Sequence, residues 1–262
     1  MNRGETSRFA AEAELAGQLR HAFIAGELTA YYQPEYELAS GRIVALEALC
    51  RWIHPAHGLL LPERFIDVAE QHGLISDVGR FMLDESGRRA AAWHRMGAHV
   101  GLSINVSPSE LNPEFAATLL RRLGELELPY RTLTVEVTES PEILYSRSEI
   151  VALEALIDGG IGVSIDDFGT GQNSLDLVRR LPLTEVKIDK SLVQDPTSSV
   201  DELVRTCIEV ARERDAIIVA EGVETHEQFE RALRWECDRA QGFYFAPPMR
   251  IEDLEPLLLG VA

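Results

Sequence analysis

The chain has 262 residues, 45% of them hydrophobic, with 25 basic side chains against 43 acidic ones and a formal charge of -18. That length and apolar content suffice for one barrel-sized core, and so negative a field excludes a nucleic-acid polymer or an anionic membrane as a partner attracted by the whole molecule. The three cysteines, Cys50, Cys207 and Cys237, are too few and too scattered for a disulfide framework and fit a reducing cytoplasm; no apolar run reaches the roughly 18 residues of a membrane span, and Glu5, Glu12 and Glu14 are unlike a signal peptide.

Apolar positions at helical spacing predict a lead-in helix over residues 8–26, ending near Gly26, ahead of a catalytic unit over 27–262. Leu28 to Gln33 and Ile43 to Leu49 read as strands, and the connection through Pro34, Ser40 and Gly41 has no room for a crossover helix. They therefore form an antiparallel hairpin. Beyond it strands and helices alternate. Strands are predicted at Val100–Asn105, Leu133–Val137, Ile161–Ile165, Glu185–Ile188, Ala216–Ala220 and Ala240–Tyr244. Helices are predicted over 62–72, 77–97, 114–126, 146–158, 174–181, 199–214, 225–235 and 251–259. Eight strands with alternating helices predict a closed α/β barrel of the TIM (β/α)8 kind rather than an open sheet.

In such a barrel the strand C-terminal ends open on one face, so residues distant in sequence converge there. Those ends carry Glu47, Asn105, Glu136, Asp166 with Asp167, Lys187, Glu221 and Gln241. Any one of them reads equally as a satisfied core residue or a helix cap. Together they form a ring of carboxylates that is costly without cations. Adjacent carboxylates such as Asp166 and Asp167 suit hard divalent ions held by oxygen, Mg²⁺ or Mn²⁺, rather than zinc. His54 and His57, in a Pro-Gly loop, lack further soft ligands. Five acidic side chains with Asn105 are enough for two ions in the arrangement that serves phosphoryl transfer. Only Lys187 and Lys190 among the basic residues are lysines; Lys187 ends an apolar strand, where a compact ammonium is wanted, and Lys190 is expected in solvent.

Glu47-Ala48-Leu49, followed by Arg51-Trp52 and His54-Pro55, resembles the signature of the EAL-domain cyclic-di-GMP phosphodiesterases. So do Tyr32-Gln33-Pro34, the segment Ser103–Ser107, Glu136 to Glu139, the segment Asp166–Gly171, Lys187-Ile188-Asp189, the segment Glu221–Glu224 and Gln241-Gly242-Phe243. The resemblance implies a modified TIM barrel whose first strand is antiparallel to the rest. It also implies that Glu47, Asn105, Glu136 and Asp166 hold one metal ion and that Asp166 and Asp167 serve a second. Glu221 would be the general base or water-orienting group. Lys187 would contact the attacking water or the phosphate, and Arg51 the phosphate. Gln33 and Gln241 would line the guanine-nucleotide pocket, while Glu139, Asp189 and Glu224 would brace the ligands. The resemblance further implies action on cyclic-di-GMP as a homodimer, beside sensory or cyclase domains; a catalytically silent cyclic-di-GMP receptor is the alternative. Gln172-Asn173-Ser174 stands where the family has Tyr-Ser-Ser, and Glu35 and Glu236 are also departures. Extra negative charge at either would weaken binding of a dianionic ligand if it faced the pocket.

Overall fold

The computed structural model describes residues 3–138, 146–171 and 174–260. Its strands are β1 (Leu28–Glu37), β2 (Ile43–His54), β3 (Gly58–Leu60), β4 (Gly101–Asn105), β5 (Leu133–Thr138), β6 (Gly162–Phe168), β7 (Glu185–Ile188), β8 (Ile217–Ala220) and β9 (Arg239–Ala240). They pair in the order β1-β9-β8-β7-β6-β5-β4-β2-β3, and the pairing of β1 with β2 closes the ring, leaving β3 as a short arm on the far end of β2. β1 is antiparallel to both of its neighbours, whereas β2 and β4 to β9 run parallel. The cause is the tight turn after β1, where Gly41 at φ +68° returns the chain directly into β2.

Helices α1 (Arg3–Ala25), α2 (Ile66–Gln71), α3 (Ile75–Arg95), α4 (Pro113–Glu125), α5 (Arg147–Asp158), α6 (Ser174–Arg180), α7 (Lys190–Gln194), α8 (Ser198–Arg212), α9 (His226–Arg234) and α10 (Ile251–Leu259) complete the fold. Alternation along each strand divides its side chains between two environments. Val135, Val137, Val163, Ile165, Val186, Ile188, Ile218 and Ala220, all inaccessible to solvent, belong to the apolar layer shared with the helices. Glu136, Ser164, Asp166, Glu185 and Lys187, which alternate with residues of that layer, face the barrel interior and are polar, whereas Val219 on β8 is apolar. Among the described residues no helix is long and apolar enough to cross a membrane.

Several local features differ from the periodicity reading: β1 runs on through Pro34 to Glu37, β2 runs on to His54, and β3 is an added strand. The helix expected over 62–72 breaks into a 3-10 turn (Pro62–Arg64) and α2, because the fully buried Phe65 leaves helical geometry at φ -140° to pack its ring edge-on against Trp52, 5.8 Å away. β6 runs on past Ile165 to Phe168. A short α7 follows β7, capped by the Asp189 carboxylate, which accepts from the Ser191 amide at 2.9 Å. The strand expected over 240–244 stops at Ala240, because Gly242 turns the chain at φ +149° and lies so close to Val223 that a Cβ would meet its carbonyl oxygen at 2.2 Å.

Candidate active site

Lys187 is the centre of the site. Projecting from β7 with no solvent exposure, its Nζ lies 2.7 Å from Glu221, 3.0 Å from Glu136, and 3.3 Å from both Glu47 and Asp166. Four carboxylates from β2, β5, β6 and the end of β8 thus share one ammonium. Burial alone would lower the lysine pKa, but the charges of Asp166, Glu136, Glu221 and Glu47 outweigh it and hold the pKa well above the ordinary lysine range. The strand-end carboxylates therefore carry a cation of their own.

Gln241, just past β9, donates from Nε2 to Glu47 and to Glu221, both at 2.8 Å. Asn105 donates to the other oxygen of Glu47 at 3.0 Å. Burial works against ionisation of Glu47, yet Lys187 and these two amides bring its pKa below the usual carboxylate value. Burial, then the neighbouring Asp166 charge, pushes Glu221 well above that value; burial does the same to Glu136, helped by Glu47 and Asp166 and opposed by Lys187.

Asp166 and Asp167 owe their arrangement to a bulge. The β6–β7 register shifts between Ile165 and Phe168, and Asp167 takes the left-handed conformation at φ +55°. In a regular strand consecutive side chains point to opposite faces; here carboxylate oxygens of Asp166, Asp167 and Glu221 lie within 4.8 Å of one another. Burial, Asp166 and Asp189 together push the Asp167 carboxyl up to about 7.

The donor set fits a hard divalent ion. Both oxygens of the fully buried Glu136, and Oδ1 of Asp166, accept no hydrogen bond from the described residues, although the Lys187 charge is close. Among the described residues Oε2 of Glu136 has no ion-pair partner either, and buried carboxylate oxygens left so are the feature expected where a further cation belongs. Glu47, Asn105, Glu136, Asp166 and Asp167 are the residues that would hold it.

The remaining candidates are spread around this centre. Arg51, four residues beyond Glu47 on β2, is buried, donates to the Cys50 carbonyl at 2.9 Å and lies over the Tyr31 ring at 5.6 Å. Gln33, opposite Glu47 in the β1–β2 register, donates to the Ala246 carbonyl at 3.4 Å. Asp189 stands near Asp167, whose pKa its charge helps to raise, and caps α7. Glu224 is exposed, with its amide bonded to Gln228. Glu139 lies outside the described residues, as do Gln172 and Asn173. His54 caps a turn, accepting from the amides of Ala56 and His57, with its other nitrogen 3.2 Å from Gln18.

Sequence reasoning missed a second polar layer. Glu35 points into the barrel rather than at solvent, and there it meets Arg239 at 3.2 Å, while Glu185 meets the same guanidinium nitrogen at 3.1 Å. Both carboxylates are almost completely buried. Glu236, by contrast, is exposed at the turn before β9. Strand alternation at Glu185 and Arg239, each two residues before a site residue, was the available signal.

The EAL domain family profile matches residues 16–248. The chain is 37% identical over 248 residues to the bifunctional diguanylate cyclase/cyclic di-GMP phosphodiesterase MucR of Pseudomonas aeruginosa, covering 93% of this chain and 36% of that protein. It is 36% identical to the cyclic di-GMP phosphodiesterase NbdA of the same organism, covering 94% of this chain and 32% of that protein. The chain therefore spans about a third of the length of these curated relatives. The solved structure described as PaMucR phosphodiesterase, c-di-GMP complex, superposes with a TM-score of 0.85 at 36% identity, covering 92% of this chain and 99% of that one. The antiparallel first strand, the ordered motifs from Glu47 to Gln241 and these matches together make the chain a member of the EAL domain family.

Proposed function

We propose that the chain is a metal-dependent phosphodiesterase specific for cyclic-di-GMP, hydrolysing one linkage of the ring to give linear 5′-pGpG. The observation that carries this reading is the set of four carboxylates from four strands gathered on the buried Lys187, with Oε2 of Glu136 still lacking a donor among the described residues. Relatives of this chain are named as cyclic-di-GMP phosphodiesterases, which supports the choice of substrate.

Mg²⁺ or Mn²⁺, two ions in this reading, would supply Lewis acidity toward the phosphoryl oxygens and toward water. The chain's own residues do the rest. Glu221, raised above the usual carboxylate range and fixed through one oxygen by Lys187 and Gln241, orients the attacking water and receives its proton. Water oxygen bonds to phosphorus as the bond to the 3′ oxygen breaks; that oxygen keeps the bonding pair and takes a proton from solvent, leaving a 5′ phosphate and a 3′ hydroxyl. The Lys187 ammonium offsets charge spreading over the phosphoryl oxygens. Arg51, with one nitrogen on the Cys50 carbonyl, presents its remaining donors to a phosphate. Gln33 and Gln241 present amides to the nucleotide, while Asp189 steadies Asp167; Glu139 and Glu224 brace the ligand loops.

The same reading makes the chain a cytoplasmic homodimer working beside sensory or cyclase domains, and the three buried cysteines suit that compartment. The test is product analysis of cyclic-di-GMP incubated with the protein and either metal, with Glu47→Ala as control. Linear dinucleotide from the wild type and none from the variant supports hydrolysis. Tight binding with no turnover in saturating metal overturns it in favour of a silent receptor.

A further inference from the structure

The bridge from the half-buried Arg239 to two buried carboxylates has no part in the chemistry just described, yet its geometry is tied to that chemistry on three strands at once. Arg239 Nη1 reaches Glu35 on β1 at 3.2 Å and Glu185 on β7 at 3.1 Å, spanning β8 from its own position on β9. Each member lies two residues from a site residue on the same strand face: Glu185 precedes Lys187, Arg239 precedes Gln241, and Glu35 follows Gln33 on the antiparallel β1. Two residues along a strand is about 6.6 Å, so the bridge forms the interior layer directly beneath the reacting one. The β1–β2 register agrees, pairing Gln33 with Glu47 and Glu35 with Ala45 one step lower.

We infer that Glu35, Arg239 and Glu185 are positioning residues: their cross-strand bridge sets the height at which Lys187, Gln241 and Gln33 enter the site. Lys187 and Gln241 hold the same two carboxylates, Glu47 and Glu221. A slip of β7 or β9 would therefore carry the ammonium or the amide away from both. Displacement of catalytic groups by about 1 Å can cost 10²-fold in rate. β9 pairs through only two residues, and the β6–β7 ladder is interrupted by the bulge. β9 is thus the strand whose height the backbone fixes least, while β7 keeps four uninterrupted pairs with β8 and β1 keeps nine with β2. The bridge compensates, and it gives the departure at Glu35 a role other than contact with the ligand.

This inference rests on the proposed hydrolysis only for its kinetic readout, and a second readout is independent of it. Because Lys187 and Lys190 are the only lysines, protein labelled with ¹³Cε-lysine gives two side-chain resonances, one buried and one exposed. The variants are Arg239→Met and the charge-free triple variant Glu35→Gln, Glu185→Gln, Arg239→Met, which leaves no buried ion unpaired if the single change fails to fold. In the folded variant the Lys187 resonance should shift or broaden while that of Lys190 stays in place. kcat should fall at least tenfold with KM within threefold, and Arg239→Lys should recover part of it. A folded triple variant with the wild-type Lys187 resonance and wild-type kcat overturns the inference. If the wild type itself does not turn over, the proposed hydrolysis fails while the resonance still decides the bridge.

Discussion

Replacing Lys187 with methionine removes the one cation that touches four buried carboxylates while keeping a side chain of similar length. At an effective dielectric of about 20, each contact near 3 Å is worth roughly 5 kcal/mol before desolvation, but the terms are not additive and the carboxylates can take up protons instead. The measured cost of removing one partner from a buried ion pair, about 3–5 kcal/mol, is the better guide. For a domain of this size that is a fall in Tm of roughly 6–20 °C. Because the Lys187 pKa is raised on folding, its contribution is full below the ordinary lysine pKa and is lost only as pH climbs through the raised one. The deficit of the variant should therefore be large at pH 8 in EDTA. It should shrink as pH falls, because burial raises the pKa of Glu136 and Glu221 and their protonation removes charge that Lys187 offsets. Mg²⁺ at about a hundred times its Kd should restore about 2.7 kcal/mol. Thermal melts followed by circular dichroism, with and without Mg²⁺, provide the assay. A variant that melts within 2 °C of wild type in EDTA, and that Mg²⁺ does not lift, refutes the view that these carboxylates depend on a shared cation.

Glu47→Gln should keep the fold and abolish turnover, since it removes a carboxylate that Asn105, Lys187 and Gln241 all address; retention of a tenth of the wild-type kcat would contradict this. Gly242→Ala should cost about 3 kcal/mol or more or prevent soluble expression, because the new Cβ would sit 2.2 Å from the Val223 carbonyl oxygen at φ +149°; urea titration against wild type measures it. Burial pushes the Cys50 and Cys237 thiols up to about 12, so at pH 8 about one in ten thousand of either is thiolate. Native protein should accordingly show no fast thiol toward an aromatic disulfide, with three appearing on denaturation.

Much of the site was legible because strand alternation is a local property. Lys187 follows Val186, Glu136 sits between Val135 and Val137, and Glu47 between Leu46 and Ala48, so each reads from its own neighbours as a polar residue facing a barrel interior. The antiparallel first strand was equally local, since a hairpin turn cannot hold a crossover helix.

What the chain could not express locally is who meets whom across the barrel. Lys187 appeared as one ring member, and only closure of the sheet makes it the hub of four carboxylates. The bulge at Asp167 and the break at Phe65 are places where a packing contact or register shift prevails over the period of the sequence. Glu35 read only as a departure whose charge would weaken ligand binding if it faced the pocket, because its partner Arg239 is some 200 residues away; in three dimensions the two share the barrel floor with Glu185. Alternation assigns a residue to a face, but the ionic partner it finds there depends on strand order and stagger, which arise only when the sheet closes.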